Sequence, residues 1–227
     1  MPLALITGAS RGIGAATARA LADTHTLLLG GRDEAALAAL AAELPDARPW
    51  PVELTDHAAL AAAAAELSTL DVLVHSAGVA RVGPLAAASA DLWRSTYEIN
   101  VVAVAELTRL LLPALRAARG RVVLVNSGAG KSANPGWGPY AASKFALTAY
   151  ADVLRGEEEA AGIRVTSVFP GRTDTDMQRV VRADEGGDYE PAKYLRPESV
   201  AESIRTAVFA ADDAHLTELV IRSRPVR

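Results

Sequence analysis

Short apolar segments recur along the chain and alternate with longer segments rich in alanine, leucine and glutamate. Six of the apolar segments are continuous rather than alternating, as is typical of strands that are covered on both faces. They span residues 3–7, 25–30, 71–77, 121–127, 164–169 and 218–221. A seventh candidate at 49–54 is interrupted by prolines, so we expect it near an edge of the sheet.

The segments between the strands have good helix propensity. The clearest of them are residues 33–44, 56–67, 101–118 and 139–161. The alternation predicts an α/β fold of Rossmann type, a doubly wound parallel sheet of seven strands with helices on both faces. Since no linker or internal repeat divides the sequence, residues 1–227 are expected to form a single domain.

One region departs from this alternation. Residues 170–197 form a long polar segment, rich in glycine and proline, between the sixth strand and the last helix. Ligands of open α/β sheets bind beyond the carboxyl ends of the strands. A long loop at this point is therefore expected to act as a lid over a bound substrate.

Composition narrows the possible partners. The formal net charge is −4 and there is no basic run, which argues against nucleic acid or an anionic membrane and favours a small-molecule ligand. The absence of cysteine excludes disulfides and thiol catalysis, and the four histidines lack the spacing of metal ligands, so no metal is expected. No signal-like or membrane-spanning segment occurs, which predicts a cytoplasmic location.

A glycine-rich turn, "TGASRGIG", follows the first strand and opens a helix. Gly8, Gly12 and Gly14 allow a sharp turn and a close approach to a pyrophosphate, whose charge the helix N-terminus attracts. Arg32 is the first charged residue after the second strand and Arg11 lies in the turn, which favours NADP(H) over NAD(H). Asp33 leaves an alternative open, because it could cap the next helix or bind an NAD ribose.

A second candidate site lies in "YAASK", where Tyr140 precedes Lys144 by one helical turn. Side chains at this spacing share one face of a helix. An ammonium close to the phenol would lower the tyrosine pKa and make it a better proton-transfer group. Taken alone, such a pair is more often an exposed pair without function.

Six motifs occur in one order along the sequence. They are "TGASRGIG" (7–14), "HSAG" (75–78), Asn100 in "INVVA", Ser127 at the end of the fifth strand, "YAASK" (140–144) and "PGRTDT" (170–175). In order and separation the sequence resembles the short-chain dehydrogenases/reductases over nearly its whole length. The resemblance implies an NADP(H)-dependent enzyme that interconverts a carbonyl and an alcohol by hydride transfer.

The resemblance also implies a role for each matching residue. Tyr140 would be the general acid in carbonyl reduction and the base in oxidation. Lys144 would hold the nicotinamide ribose and lower the tyrosine pKa. Ser127 would stabilise the substrate oxygen, and Asn100 would kink its helix and hold a water that links Lys144 to solvent.

The remaining matches imply a dinucleotide site. They place Gly8, Ser10, Arg11, Gly12, Ile13 and Gly14 along the phosphates and adenosine ribose, Glu53 and Leu54 at the adenine, Ala77 and Gly78 at the neighbouring ribose, and Pro170, Gly171, Thr173 and Thr175 at the nicotinamide. The sequence departs from the family at His75 and Ser76, where two asparagines are frequent, and at Glu53, where aspartate is frequent.

Alternatives to a general carbonyl reductase remain. A 3-oxoacyl-carrier-protein reductase would need a basic surface, for which Arg172, Arg179, Arg182 and Lys193 are candidates. A non-catalytic redox sensor is disfavoured by the complete set of expected catalytic residues. Trp137 either lines the substrate pocket or packs beneath the loop. The resemblance further implies a homodimer or homotetramer that pairs through helices at about 92–118 and 139–161.

Overall fold

The computed structural model of the protein describes residues 1–224. Its seven strands are parallel and form one sheet, in the order β3-β2-β1-β4-β5-β6-β7. They are β1 (Leu3–Thr7), β2 (Thr26–Gly31), β3 (Ala47–Pro51), β4 (Val72–His75), β5 (Arg121–Val125), β6 (Arg164–Pro170) and β7 (Glu218–Ile221). The proline-interrupted strand lies at an edge, as predicted. The strand order changes direction between β1 and β4, where a crevice for ligands is expected.

Eight α-helices connect the strands. They are α1 (Gly12–Leu21), α2 (Glu34–Glu43), α3 (His57–Ala65), α4 (Ala90–Tyr97), α5 (Ala103–Ala118), α6 (Gly138–Glu158), α7 (Asp176–Asp184) and α8 (Pro197–Val208). One buried cluster joins α1, α2 and α8 to one face of the sheet, and another joins α3, α5 and α6 to the other face. The predicted doubly wound α/β architecture is therefore confirmed.

The two faces explain why the strand segments are apolar throughout. In β1, Leu5 packs in the cluster with α3, α5 and α6, whereas Ala4 and Ile6 pack in the cluster with α1, α2 and α8. Successive side chains point to opposite faces of a strand, so a sheet buried on both faces needs an apolar residue at every position. Burial against the sheet also stabilises the helices that cover its two faces.

Two segments differ from the sequence-based expectation. The helix predicted at 101–118 begins at Ala103 and is joined to α4 by one π-helical turn, Glu98–Val102. The segment 170–197 is also not a loop throughout, because it contains α7. Thr175 caps that helix by accepting a hydrogen bond from the Gln178 amide at 3.3 Å. Met177, Val180 and Val181 have the i, i+3, i+4 spacing of an amphipathic helix, within an otherwise mostly polar segment.

Among the residues that the structure describes, no helix combines the length and the apolar character that a bilayer crossing requires.

Candidate active site

The glycine turn after β1 brings three parts of the backbone into contact. Gly8 and Gly12 have φ angles of +67° and +58°, a region that side chains disfavour. A Cβ atom on Gly8 would lie 2.9 Å from the backbone of Ala77, beyond the end of β4. A Cβ on Gly14 would collide with the Gly8 carbonyl oxygen. The first turn of α1 therefore lies close to the crevice only because these positions are glycine.

Thr7, the first residue of the same motif, fixes the width of this crevice. Its hydroxyl accepts hydrogen bonds from the amides of Ser76 and Ala77 at 3.1 and 3.2 Å, which ties the end of β1 to the chain after β4. No role was expected for Thr7 from the sequence. Its position at the end of a strand, immediately before Gly8, is the sequence feature that could have identified it.

The crevice opens into a cavity of about 970 Å³ at the carboxyl ends of the strands. Most of the residues expected to bind a cofactor or act on a substrate line it: Gly8, Ser10, Arg11, Gly12, Ile13, Arg32, Glu53, Leu54, Ala77, Gly78, Ser127, Tyr140, Lys144, Pro170, Gly171, Thr173 and Thr175. The two exceptions are Gly14, which lies in the first turn of α1, and Asn100, which is buried behind the cavity. One space thus joins the glycine turn to the tyrosine.

At the end of β2, the Asp33 side chain takes one of its two expected roles, the cap of the next helix. The Asp33 carboxylate accepts a hydrogen bond from the Ala36 amide at 3.0 Å and is the N-cap of α2. Arg32 projects a largely exposed guanidinium whose Nη1 lies 3.4 Å from Glu53 Oε2. Burial raises the Glu53 pKa, but hydrogen bonds from Thr55 and the nearby Arg32 outweigh it, so the pKa is lowered. The cavity wall at the end of β2 therefore exposes the positive charge of the Arg32 guanidinium.

Tyr140 and Lys144 lie in the first two turns of α6 and are both buried. Ser127, just after β5, is the neighbour of the phenol. Burial raises the pKa of Tyr140, and the Ser127 hydroxyl only partly opposes this. Burial also lowers the pKa of Lys144 to about 8.

Lys144 is not among the groups that shift the Tyr140 pKa here, so the expectation that it lowers the tyrosine pKa stays a prediction. The Lys144 Nζ atom lies 5.8 Å from the centre of the Tyr140 ring and donates a hydrogen bond to the Val125 carbonyl oxygen at 3.0 Å. Helical spacing places both side chains on one face, and the ammonium makes its hydrogen bond to the strand-end carbonyl of Val125. Desolvation is then the larger influence on the phenol.

Asn100 lies inside the π-helical turn, which is the predicted interruption of its helix. Its side-chain amide bonds both the amide and the carbonyl of Val79 at 2.9 Å. It also donates to the Ser143 hydroxyl at 3.0 Å. Asn100 thus joins the loop after β4 to α6, next to Lys144. The water relay through Asn100 stays a prediction.

Two buried polar residues that the sequence analysis missed support this arrangement. Asn126 accepts a hydrogen bond from the Ser127 amide at 2.9 Å and donates to the Lys144 carbonyl at 3.2 Å. Ser143 donates to the Tyr140 carbonyl at 2.7 Å while it accepts from Asn100. Their signal in the sequence was adjacency, since each directly precedes an expected catalytic residue.

His75 occupies a position at which the motif departs from the family pattern. It is buried, and its Nε2 atom lies 2.9 Å from the Thr108 hydroxyl of α5. That hydroxyl donates to the Val104 carbonyl, so the imidazole must be the donor in this pair. Burial lowers the His75 pKa to about 3. Within residues 1–224, no group of three or more His, Cys, Asp or Glu side chains is placed to hold a metal ion.

Comparison with known proteins identifies the family. The family model described as short chain dehydrogenase matches residues 2–186. The chain belongs to the short-chain dehydrogenase/reductase family. It is 31% identical to a 3-oxoacyl-[acyl-carrier-protein] reductase of Synechocystis, over 95% of this chain and 92% of that protein.

Two further similarities are informative about this short-chain dehydrogenase/reductase. It is 35% identical to glycine betaine reductase of Emericella nidulans over 98% of its own length, but it spans only 19% of that protein. An alcohol dehydrogenase structure from Thermococcus sibiricus, complexed with 5-hydroxy-NADP, superposes with a TM-score of 0.90 at 27% identity, covering 100% of this chain and 98% of that one.

In this short-chain dehydrogenase/reductase, α7 covers the tyrosine. Val181 of α7 packs in a small buried cluster with Tyr140, beside Trp137. At its end, Asp184 accepts two hydrogen bonds at 2.9 Å from the Arg81 guanidinium across the cavity, and a third from the Val82 amide. The segment 170–197 therefore contacts the site through α7, whose C-terminal end is held by the hydrogen bonds of Asp184.

Trp137 is found in both of its expected positions, in the wall of the cavity and beneath the segment after β6. It lines the cavity, and its ring lies 5.3 Å beneath the Arg172 guanidinium of the segment after β6. The ring centres of Trp137 and Tyr140 are 5.8 Å apart. The indole therefore forms a wall of the space above the tyrosine.

The four basic side chains expected to form a carrier-protein surface lie close to carboxylates. Arg172 and Arg182 both bond Glu185 at 2.6 Å, and Lys193 bonds Glu190 at 2.6 Å. Arg179 lies 3.9 Å from Asp174 and stacks over Tyr189. The four candidates for a carrier-protein surface are thus each within reach of a carboxylate.

Proposed function

We propose that this chain is an NADP(H)-dependent oxidoreductase that reduces a carbonyl to an alcohol, or catalyses the reverse oxidation, with Tyr140 as the acid/base group. The observation that carries the proposal is that Ser127 and Tyr140 open into the same cavity as the glycine turn. A dinucleotide held by the turn would extend along this cavity toward the tyrosine.

The residues of the cavity fit such a cofactor. At Gly8 and Gly14 a Cβ atom would fill space that close backbone approach requires, and Gly12 and Ile13 of the first turn of α1 line the cavity. Lys144, with its ammonium beside Gly78 and Asn100, would hold ribose hydroxyls. NADPH supplies the hydride when it is bound.

Two side chains would act on the substrate oxygen. Tyr140 would donate its proton to that oxygen, and its raised pKa keeps the phenol protonated before reduction. Ser127 would donate a hydrogen bond to the same oxygen as negative charge develops. Removal of one donor of this kind costs about 10²–10³ in kcat. Asn100, Asn126 and Ser143 position these groups by the hydrogen bonds described above.

The preference for NADPH rests on the end of β2. Arg32 and Arg11 both line the cavity with largely exposed guanidiniums, which suit a 2′-phosphate. The Asp33 carboxylate is engaged at the helix N-terminus and is less able to bind a ribose hydroxyl. The Thermococcus sibiricus structure, complexed with an NADP derivative, supports the same preference.

A second candidate is 3-oxoacyl-carrier-protein reduction. The Synechocystis relative bears that name and matches along most of both chains. The carrier protein is acidic, whereas the four basic candidates each lie within 3.9 Å of a carboxylate oxygen, which weakens the positive surface that it would need. We therefore rank it below reduction of a small carbonyl compound. A non-catalytic redox sensor would not need the buried network around Tyr140.

We also infer a homo-oligomer that pairs through α5 and α6, as a dimer or tetramer. Phe145 and Val153 of α6 are 43% and 58% exposed, which leaves apolar surface on this helix to be covered. Light scattering at several concentrations tests this. Charged substitutions at both positions should give a monomer.

The central experiment separates binding from turnover. NADPH and NADH are titrated separately by fluorescence, and ketones, aldehydes, quinones and 3-oxoacyl thioesters are then supplied while absorbance at 340 nm is followed. We expect tighter binding of NADPH, reduction of at least one carbonyl class, and loss of turnover with retained binding in Tyr140→Phe. Tight binding without turnover would favour the sensor, and preference for the carrier-type thioester would favour the second candidate.

A further inference from the structure

Five arginines line the cavity, and four of them have carboxylate partners. Arg11, Arg32, Arg81 and Arg172 each lie within 3.4 Å of a carboxylate oxygen, on Asp176, Glu53, Asp184 and Glu185 respectively. Arg222 is the fifth. Among residues 1–224 it has no ion-pair or hydrogen-bond partner for its guanidinium, so its charge remains available to a ligand.

Arg222 follows β7 directly and reaches the reacting end of the cavity. Its guanidinium lies against Gly128, where a Cβ atom would collide with Nη1. Gly128 is the residue after Ser127. On the other side, a Cβ atom at Gly171 would lie 3.8 Å from the Arg222 Cα. Arg222 therefore lies between the serine and the segment after β6.

The other cations in this neighbourhood are engaged elsewhere. Lys144 donates to the Val125 carbonyl oxygen at 3.0 Å and is the residue proposed to hold the nicotinamide ribose. Lys131 donates to Glu218 at 2.7 Å, and its ammonium lies 4.2 Å from the centre of the Phe169 ring. A substrate group next to Ser127 would thus meet one available cation. A guanidinium can bind a carboxylate with two parallel hydrogen bonds, which fixes orientation as well as supplying affinity.

We propose that Arg222 binds a carboxylate of the substrate, so that the preferred substrates are short oxo acids or the corresponding hydroxy acids. The proposal rests on the proposed reductase function and names its substrate class. Because Gly128 adjoins Ser127, the anionic group lies within a few bonds of the carbonyl that Ser127 and Tyr140 contact. The phosphate of a carrier-type thioester is many bonds from its carbonyl and fits this position less well.

The test uses matched acid and ester substrates with the full chain and NADPH. Pyruvate and acetoacetate are compared with their methyl esters, and acetoacetyl coenzyme A supplies a phosphate-bearing thioester. Each is assayed with the wild type, Arg222→Gln, Arg222→Lys and Arg224→Gln. Arg224 is an exposed arginine two residues further on that does not line the cavity. Unfolding midpoints and NADPH affinity of every variant exclude a folding defect.

We expect the wild type to prefer acid over ester, and Arg222→Gln to lower the acid-to-ester ratio of kcat/KM by about 10- to 100-fold, mainly through KM. Arg222→Lys should be intermediate, and Arg224→Gln should keep the wild-type ratio. A preference for esters, or an equal loss in Arg224→Gln, overturns the inference while reduction itself stands. A dependence on Arg222 confined to the thioester would assign it to phosphate and also overturn it. Absence of reduction for every substrate would overturn the proposed function, and this inference with it.

Discussion

The Lys144 ammonium lies 5.8 Å from the centre of the Tyr140 ring and donates its hydrogen bond to the Val125 carbonyl instead. Burial lowers the Lys144 pKa to about 8 from 10.5. A charged lysine is thus held at neutral pH in a place that disfavours its charge. Such a residue is kept for function rather than for stability.

Lys144→Met should abolish turnover and raise the free energy of unfolding at pH 7 by about 1 to 3 kcal/mol. The wild type should itself gain stability as pH rises from about 8 to 10.5, since there the unfolded chain holds a proton that folded Lys144 has released. The variant lacks this gain, so the difference should shrink at pH 9.5.

Urea unfolding at pH 7 and 9.5 measures both effects. Lys131→Met is the matched control, because Lys131 is partly exposed and paired with Glu218. It should not stabilise the protein. If Lys144→Met were less stable than the wild type by the same amount at both pH values, burial of the ammonium would not be costly.

The sequence predicted the strands well because burial on both faces leaves a continuous apolar signal. β1 and β7 have the bounds that the apolar segments indicated. The helix α7 was missed although Met177, Val180 and Val181 have helical spacing, because the segment 170–197 around it is rich in glycine, proline and charged residues. A helix of nine residues within such a segment is easily read as loop.

The residues of the candidate site could be predicted from the sequence, but their hydrogen-bond partners and pKa shifts could not. Motif order was sufficient to place Ser127, Tyr140 and Lys144 on one cavity. It could not show that the Val125 carbonyl, on another element, takes the ammonium of Lys144. Nor could it show Arg222 beside Gly128, since the two are brought together only by the neighbouring positions of β5, β6 and β7.

Arg32→Ala should weaken NADPH binding by about 10- to 100-fold, because a charge-assisted contact with the 2′-phosphate is lost. NADH, which lacks that phosphate, should be affected by less than about fivefold. Fluorescence titration of both dinucleotides measures the ratio. Arg48→Ala removes an exposed arginine of β3 that does not line the cavity and should leave the ratio unchanged. Equal losses for both dinucleotides would contradict a phosphate contact.

Asp33→Ala should cost about 1 kcal/mol of stability through loss of the α2 N-cap and leave NADH affinity unaltered. Asp56→Ala is its counterpart, since Asp56 caps α3 with the same 3.0 Å hydrogen bond to the amide three residues on. The two variants should lower the free energy of unfolding similarly. A large loss of NADH affinity in Asp33→Ala alone would show that this carboxylate binds the ribose.

Asp184→Ala should release the end of α7, because Asp184 accepts three hydrogen bonds from Arg81 and Val82 across the cavity. Loss of contacts to a mostly buried carboxylate should speed amide exchange in residues 176–184 by about 10- to 100-fold. Hydrogen-exchange mass spectrometry measures it. Asp188→Ala changes an exposed carboxylate nearby and should leave exchange unchanged. Unaltered exchange in Asp184→Ala would mean that Val181 and its neighbours hold the helix alone.

His75→Asn should make the protein less sensitive to acid. Burial lowers the pKa of folded His75 to about 3 from 6.5, so below pH 6.5 the unfolded chain takes up a proton that the folded chain refuses. The wild type should therefore lose about 2 kcal/mol more than the variant between pH 7.5 and pH 5. Because the free energy of unfolding of each protein is compared between the two pH values, any pH-independent cost of the smaller asparagine side chain cancels.

Thr108→Val provides the control for that comparison. It removes the hydroxyl that accepts from His75 Nε2 but keeps the buried imidazole, so it should lower stability at both pH values and retain the wild-type pH dependence. Urea unfolding of the three proteins at pH 7.5 and 5 gives the differences. Identical pH dependence in His75→Asn and the wild type would show that folded His75 accepts a proton without cost, and that burial against Thr108 does not set its charge.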